Sequence, residues 1–213
     1  MTALNILLKL SLSLILFSSV LSTPSISFAK TKVFVKELSD KTLTKIISSN
    51  LEFSYRKRSP MSLPQGKISN VALVKRVKLD NEEYALFTYI LSNKAHFGII
   101  NPTKNEDGSW YFNQGSNGPI MHNPLETLII QQVPLVIGGV INDHMIKKIK
   151  ILFNDGHIHI RDIKSDDKYF LEIIKYNSPT VSKIEGLDIH DKVVFTSWDL
   201  EKPRKDHPKN SFR

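Results

Sequence analysis

The sequence has no cysteine in 213 residues. That excludes a disulfide framework, a thiolate metal site, thiol catalysis and a lipid anchor on cysteine. It contains no GxGxxG, no GxSxG and no HExxH, so no phosphate cradle, nucleophile elbow or zincin helix is marked. After residue 30 no apolar run approaches the roughly 20 residues that a membrane-spanning helix needs. Acidic residues are in deficit, 21 against 29 basic ones, which leaves a formal charge of +8. What is present is 41% hydrophobic and 9% aromatic, too much for a wholly disordered chain.

The first thirty residues have their own order. Lys9 supplies a positive start, Leu10 to Leu21 is a short apolar core broken by serines, and Ser27-Phe28-Ala29 is a small-x-small site. This is the pattern of a secretory signal peptide, residues 1–29, cleaved between Ala29 and Lys30. The expected mature protein therefore has 184 residues and a charge of +7, enough chain for one hydrophobic core. Secretion or display on the extracellular cell surface follows.

Residues 30–54 form an expected N-terminal helix or arm. Val35, Leu38, Ile46, Ile47 and Leu51 share one helical side, with Leu43 near its border, and Asp40, Lys41 and Lys45 lie on the wet side. Residues 55–69 are expected to be a basic loop, with prolines, serines and Arg56, Lys57 and Arg58. From residue 70 the period changes to two. Val71, Leu73, Val77 and Leu79 alternate with Ala72, Val74, Arg76 and Lys78. Eight to ten short strands follow, separated by Asn, Asp and Gly turns; Asn154-Asp155-Gly156 is the strongest hairpin signal. Residues 115–126 read as a polar interruption, and 125–132 fit either a helical turn or a strand. Gly138-Gly139 within an apolar strand suggests a bulge, a bend or a close backbone approach. Residues 201–213 form an expected disordered basic tail. No βαβ rhythm is present. The expected fold is mainly β: an antiparallel sandwich or partly open barrel over residues 70–200, with one N-terminal helix.

Three constellations carry chemistry. His157 and His159 sit two apart on an expected strand, so both rings share a face and are candidate ligands for Zn²⁺ or Cu²⁺. Arg161 shares that face and opposes a cation; the competing expectation is a solvated polar face, with Ile158 and Ile160 turned inward. Arg56, Lys57 and Arg58, and Lys147, Lys148 and Lys150, are candidate anion-binding clusters. Their expected partner outside a cell is an anionic wall polymer or a membrane surface rather than nucleic acid. His157, His159, Glu172 and Asp188 are the candidates for a secreted hydrolase acting on wall polymer, the alternative to a non-enzymatic surface domain. No spacing marks a nucleophile or a base, and no cofactor is implied.

The stretch from Pro134 to Ile173, with the later IEGLDIHDKVV, resembles small exported β-rich proteins of Bacillus-like Gram-positive bacteria. Gly139, Ile141, Ile146 and Ile149 match a strand pair preceding a hairpin. Asp188 to Lys192 match a turn that opens the last strand, with Asp191 where that pattern has glycine. The resemblance spans roughly residues 70–198. It implies secretion and a sandwich-like fold, and it brings no activity or catalytic residue with it.

Overall fold

A computed structural model describes residues 33–34, 38–58, 68–79, 82–131, 133–176 and 180–199. The expected signal peptide with its Ala29-Lys30 site, most of the expected basic loop and the expected basic tail lie outside the described residues.

Ser39 caps the helix: its Oγ accepts the Thr42 amide at 3.2 Å, and Asp40 opposes the positive end of the helix dipole. The helix, α1, spans Asp40–Arg58. Tyr55 to Arg58, expected in a loop, therefore form its last turn. Leu43, Ile46, Ile47 and Leu51 are buried, and Leu43 is fully enclosed rather than at a border. Each such side chain contributes roughly 1.5–3 kcal/mol on burial.

Twelve strands are described, more than the expected eight to ten. They form three open antiparallel sheets. Sheet A orders β1 (Val33–Phe34), β5 (Ser109–Pro119), β4 (Lys94–Lys104), β3 (Glu82–Leu91) and β2 (Ser69–Leu79). Sheet B orders β10 (Tyr169–Ile174), β7 (Leu135–Ile141) and β6 (Leu125–Ile130). Sheet C orders β12 (Val193–Asp199), β11 (Val181–Leu187), β8 (Lys148–Phe153) and β9 (Ile158–Asp162). Several strands are long: β2, β4 and β5 have 11 residues each. The polar run from Gly115 to Pro119 belongs to β5, because β4 offers it a full ladder from Ile100 to His96. Residues 125–130 settle as a strand for the same reason, paired along β7.

Three apolar clusters fix the stacking. One lies between α1 and sheet A, with Phe87, Tyr89 and Phe112. The next joins the other face of sheet A to sheet B, through Leu86, Ile99, Val136 and Leu171. The third joins sheet B to sheet C, through Ile137, Phe170, Ile151 and Ile184. The layers therefore run helix, A, B, C. Strand β7 is buried at every position, because sheet B is covered on both faces.

Strand β2 departs from simple alternation. The register of β2 against β3 shifts between Leu73 and Lys75. Val71 and Leu73 face the helix, but Val77 joins Val74 on the sheet B side. The bulge turns Arg76 to the helix side instead, where Nη2 donates to Leu38 O at 3.0 Å and the guanidinium also engages Asp40 and Glu83. The Gly138-Gly139 pair, by contrast, keeps an unbroken register with β10 and β6. It is a site of close approach: a Cβ on Gly138 would stand 2.9 Å from Ile99 Cδ1, and one on Gly139 would overlap Phe170 and the Glu126 carbonyl.

Candidate functional site

The two histidines go to different partners. His157 stacks on Tyr176, with centroids 4.9 Å apart and planes 12° off parallel. Tyr176 donates to Asp155, and that hydroxyl, with the His157 amide, holds the Asp155 carboxyl below its ordinary value. His159 instead approaches Glu172 of β10, Nε2 to Oε1 at 3.2 Å, and Arg161 donates to the other Glu172 oxygen. Glu172 thus pairs with the Arg161 guanidinium and meets the His159 ring, both of which face inward from β9. Among the described residues no group of three or more His, Asp or Glu is placed to hold a metal ion.

The polarity of β9 is the reverse of the expected one. His159, Arg161 and Glu172 are about three-quarters covered, whereas Ile158 and Ile160 stand 48% and 53% exposed. Sheet B supplies the reason. Glu172 projects toward β9, and a carboxylate there is better answered by Arg161 than by an isoleucine.

Asp188 lies apart from this group, in the turn between β11 and β12. Its Oδ1 accepts the amides of His190 at 2.8 Å and Lys192 at 3.0 Å; the Lys192 amide first, then that of His190, lowers its pKa. Asp191 in the same turn has φ 62°, a left-handed backbone of the kind glycine favours. The hydrolase candidates therefore divide three ways: His159 with Glu172 at the β9–β10 contact, His157 on Tyr176, and Asp188 in its turn.

The basic clusters are also divided. Lys148 pairs with Asp191 at 2.6 Å and Lys150 with Glu185 at 3.4 Å; Lys147 lines a cleft. Arg56, Lys57 and Arg58 occupy the C-terminal turn of α1, where positive charge complements the helix dipole. No helix among the described residues is long and apolar enough to cross a membrane.

A constellation the sequence pattern did not mark lies at one end of the interface between sheets A and B. There a cleft of about 320 Å³ opens between the start of β2, the β3–β4 hairpin and the ends of β7 and β10. Its apolar lining is buried Val140 with half-buried Ile90 and Ile120, beside half-buried Thr88 and Tyr169. Its rim carries Asn70, His122, Asn142 and Lys168. The Lys168 ammonium sits over the Tyr169 ring, 5.7 Å from its centroid. Asn142 and Lys168 also border a second cleft, of about 190 Å³, between sheets B and C.

Two rim residues hold unusual backbones. Asn70 has φ 52° and His122 has φ 62°. Asn70 falls within a register break of β2, between Ser69 and Ala72. His122 belongs to a segment pinned from below: buried Glu126 accepts the amides of Met121 and Asn123 through one oxygen, each at 2.9 Å, and Asn142 Nδ2 donates to Asn123 O at 2.8 Å. The Asn70 dihedral and the Glu126 contacts were the unreadable part, since neither leaves a motif in the chain.

No family model, curated protein or solved structure matches this chain, so the site stands on its own geometry. The described residues form a mainly β domain of three stacked antiparallel sheets and one helix.

Proposed function

We propose that this is an exported β-domain that works by binding, held at the cell surface through its N-terminal layer rather than through its sheets. The observation that carries this is the segregation of charge. Residues 70–200 contain fourteen Lys and Arg against sixteen Asp and Glu, so the sheet stack is slightly acidic. Residues 30–69 contain nine against three, and residues 201–213 five against two. The +8 thus belongs to the segments flanking the stack. Within the stack, Lys148 and Lys150 already have carboxylate partners. An anionic wall polymer or lipid surface would bind through the basic excess of residues 30–69, which includes exposed Lys41 and Lys45 and the Arg56-Lys57-Arg58 run. Export itself rests on the order of residues 1–29, and the resemblance to exported proteins of Bacillus-like bacteria, carried by residues between about 70 and 198, supports it.

Secretion from a Gram-positive host and mass analysis of the product test export, which requires a chain beginning at Lys30. Sedimentation with isolated walls and with phosphatidylglycerol vesicles tests the surface. Changing Arg56, Lys57 and Arg58 to Gln should weaken low-salt binding about tenfold or more, at roughly 1 kcal/mol per charge near an anionic surface. Lys148→Gln with Lys150→Gln should change it less than about twofold, since paired surface charges contribute little. Mature protein that stays in the supernatant of both at low salt, or equal effects of the two variants, would overturn the proposal.

A further inference from the structure

The cleft between sheets A and B carries two unusual backbones on its lining. Among the described residues, five that are not glycine have left-handed backbones. Ser92 and Asn93 close the β3–β4 hairpin, and Asp191 closes the β11–β12 turn, where such dihedrals are ordinary. The other two, Asn70 and His122, come from distant parts of the chain and meet on one rim. A bulge on one side and a buried glutamate on the other hold them there. Sparsely populated backbone held by its surroundings clusters at binding sites, and a bulge commonly serves to re-aim a side chain.

The lining has a definite chemistry. Asn70, Asn142, Thr88 and His122 each carry both donor and acceptor capacity, which suits a ligand dense in hydroxyls. Ile90, Ile120, Val140 and Tyr169 offer an apolar surface to a C–H face. The lining includes Lys168 and no carboxylate, and nearby Asp167 is engaged by Lys75 at 3.8 Å. The volume falls at the small end of the roughly 300–1,000 Å³ typical of ligand sites, room for one ring rather than an extended chain. From this geometry we infer that the cleft binds a single carboxylate-bearing sugar ring: its hydroxyls on the amide and imidazole rim, its C–H face on the apolar lining and its carboxylate at Lys168. This site is separate from the N-terminal layer, and it stands whether or not that layer holds a surface.

Titration of the mature protein with methyl β-D-glucuronide, methyl β-D-glucoside and sodium acetate, followed by backbone amide chemical shifts, tests this. The glucuronide should move the amides of Asn70, His122, Asn142 and Tyr169. It should bind about fivefold more tightly than the glucoside, the gain expected of one partly exposed ion pair. Lys168→Met should bring the two within about twofold of each other, while Lys104→Met, on another part of sheet A, should leave the ratio unchanged. No shift from either sugar up to about 50 mM, a range that would reveal even millimolar affinity, would overturn the site. So would shifts confined to other residues. Equal binding of both sugars to the unaltered protein would overturn the acidic class, and acetate binding as tightly as the glucuronide would overturn the sugar.

Discussion

The ring of Phe170 lies against Gly139, its cross-strand partner, and a Cβ there would come within 2.9 Å of Cζ and overlap the Glu126 carbonyl oxygen as well. Gly98 and Phe87 repeat the arrangement in sheet A. In both pairs the aromatic side chain fills the space that the glycine leaves and covers its backbone. Gly139→Ala should therefore destabilise the protein by about 1–3 kcal/mol, the range for overpacking a dense core. Adding Phe170→Leu should recover only part of this, because the Glu126 backbone cannot retreat. Urea unfolding of the single and double variants measures both.

Arg76 joins the helix layer to sheet A. It engages Glu83, whose side chain is only 4% exposed, and Asp40 at the start of α1. Arg76→Ala leaves Glu83 buried without its guanidinium and should cost about 3–5 kcal/mol. Arg76→Leu combined with Glu83→Leu removes both charges and should be far milder. If the double variant is as unstable as the single one, desolvation of Glu83 is not the cause.

His96 carries a pH signature. Burial first, and then the charge of Lys94, lowers its pKa below the ordinary value, while its ring stacks on Tyr89 at 5.0 Å. The contribution is complete above the unfolded value of about 6.5. As pH falls below that, the unfolded chain takes up the proton first, and stability is lost until the folded value is passed. His96→Gln should flatten the fall in urea midpoint between about pH 7.5 and about pH 5. An unchanged slope would assign the pH dependence to other groups.

The reversed faces of β9 give a direct comparison. Ile158→Thr and Ile160→Thr alter exposed positions and should shift stability by no more than about 0.5 kcal/mol. Ile151→Ala, fully buried on the neighbouring strand and paired across from His159, should cost about 2–5 kcal/mol. Thermal unfolding of the three variants distinguishes this arrangement from the alternation in which the isoleucines point inward.

What could be read in the chain was local. Asp107-Gly108 and Asn154-Asp155-Gly156 mark turns because glycine takes positive φ without a steric cost, and Gly108 and Gly156 have φ 80° and 86°. The helical spacing of Ile46, Ile47 and Leu51 selects the face that is buried. Period two from residue 70, with Asn and Asp turns, suffices for a mainly β fold of antiparallel strands.

The candidate site was less legible. His157 and His159 were visible as a pair, but their partners Tyr176 and Glu172 lie on or beyond another strand. The cleft was not visible at all, because Asn70, His122 and Lys168 come together only where sheets A and B stack.

By itself, then, the sequence determined the mainly β class, the glycine turns and the buried face of the helix, since those depend on neighbours a few residues apart. The strands at 115–119 and 125–130 needed their pairing partners. Only the tertiary structure decided which way each strand faces and how the sheets divide. A bulge at Leu73–Lys75 exchanges the faces of β2, and a glutamate from sheet B draws Arg161 inward and leaves Ile160 in solvent. A side chain's environment in a stack of sheets is set by the layer opposite, and that layer is built from distant parts of the chain.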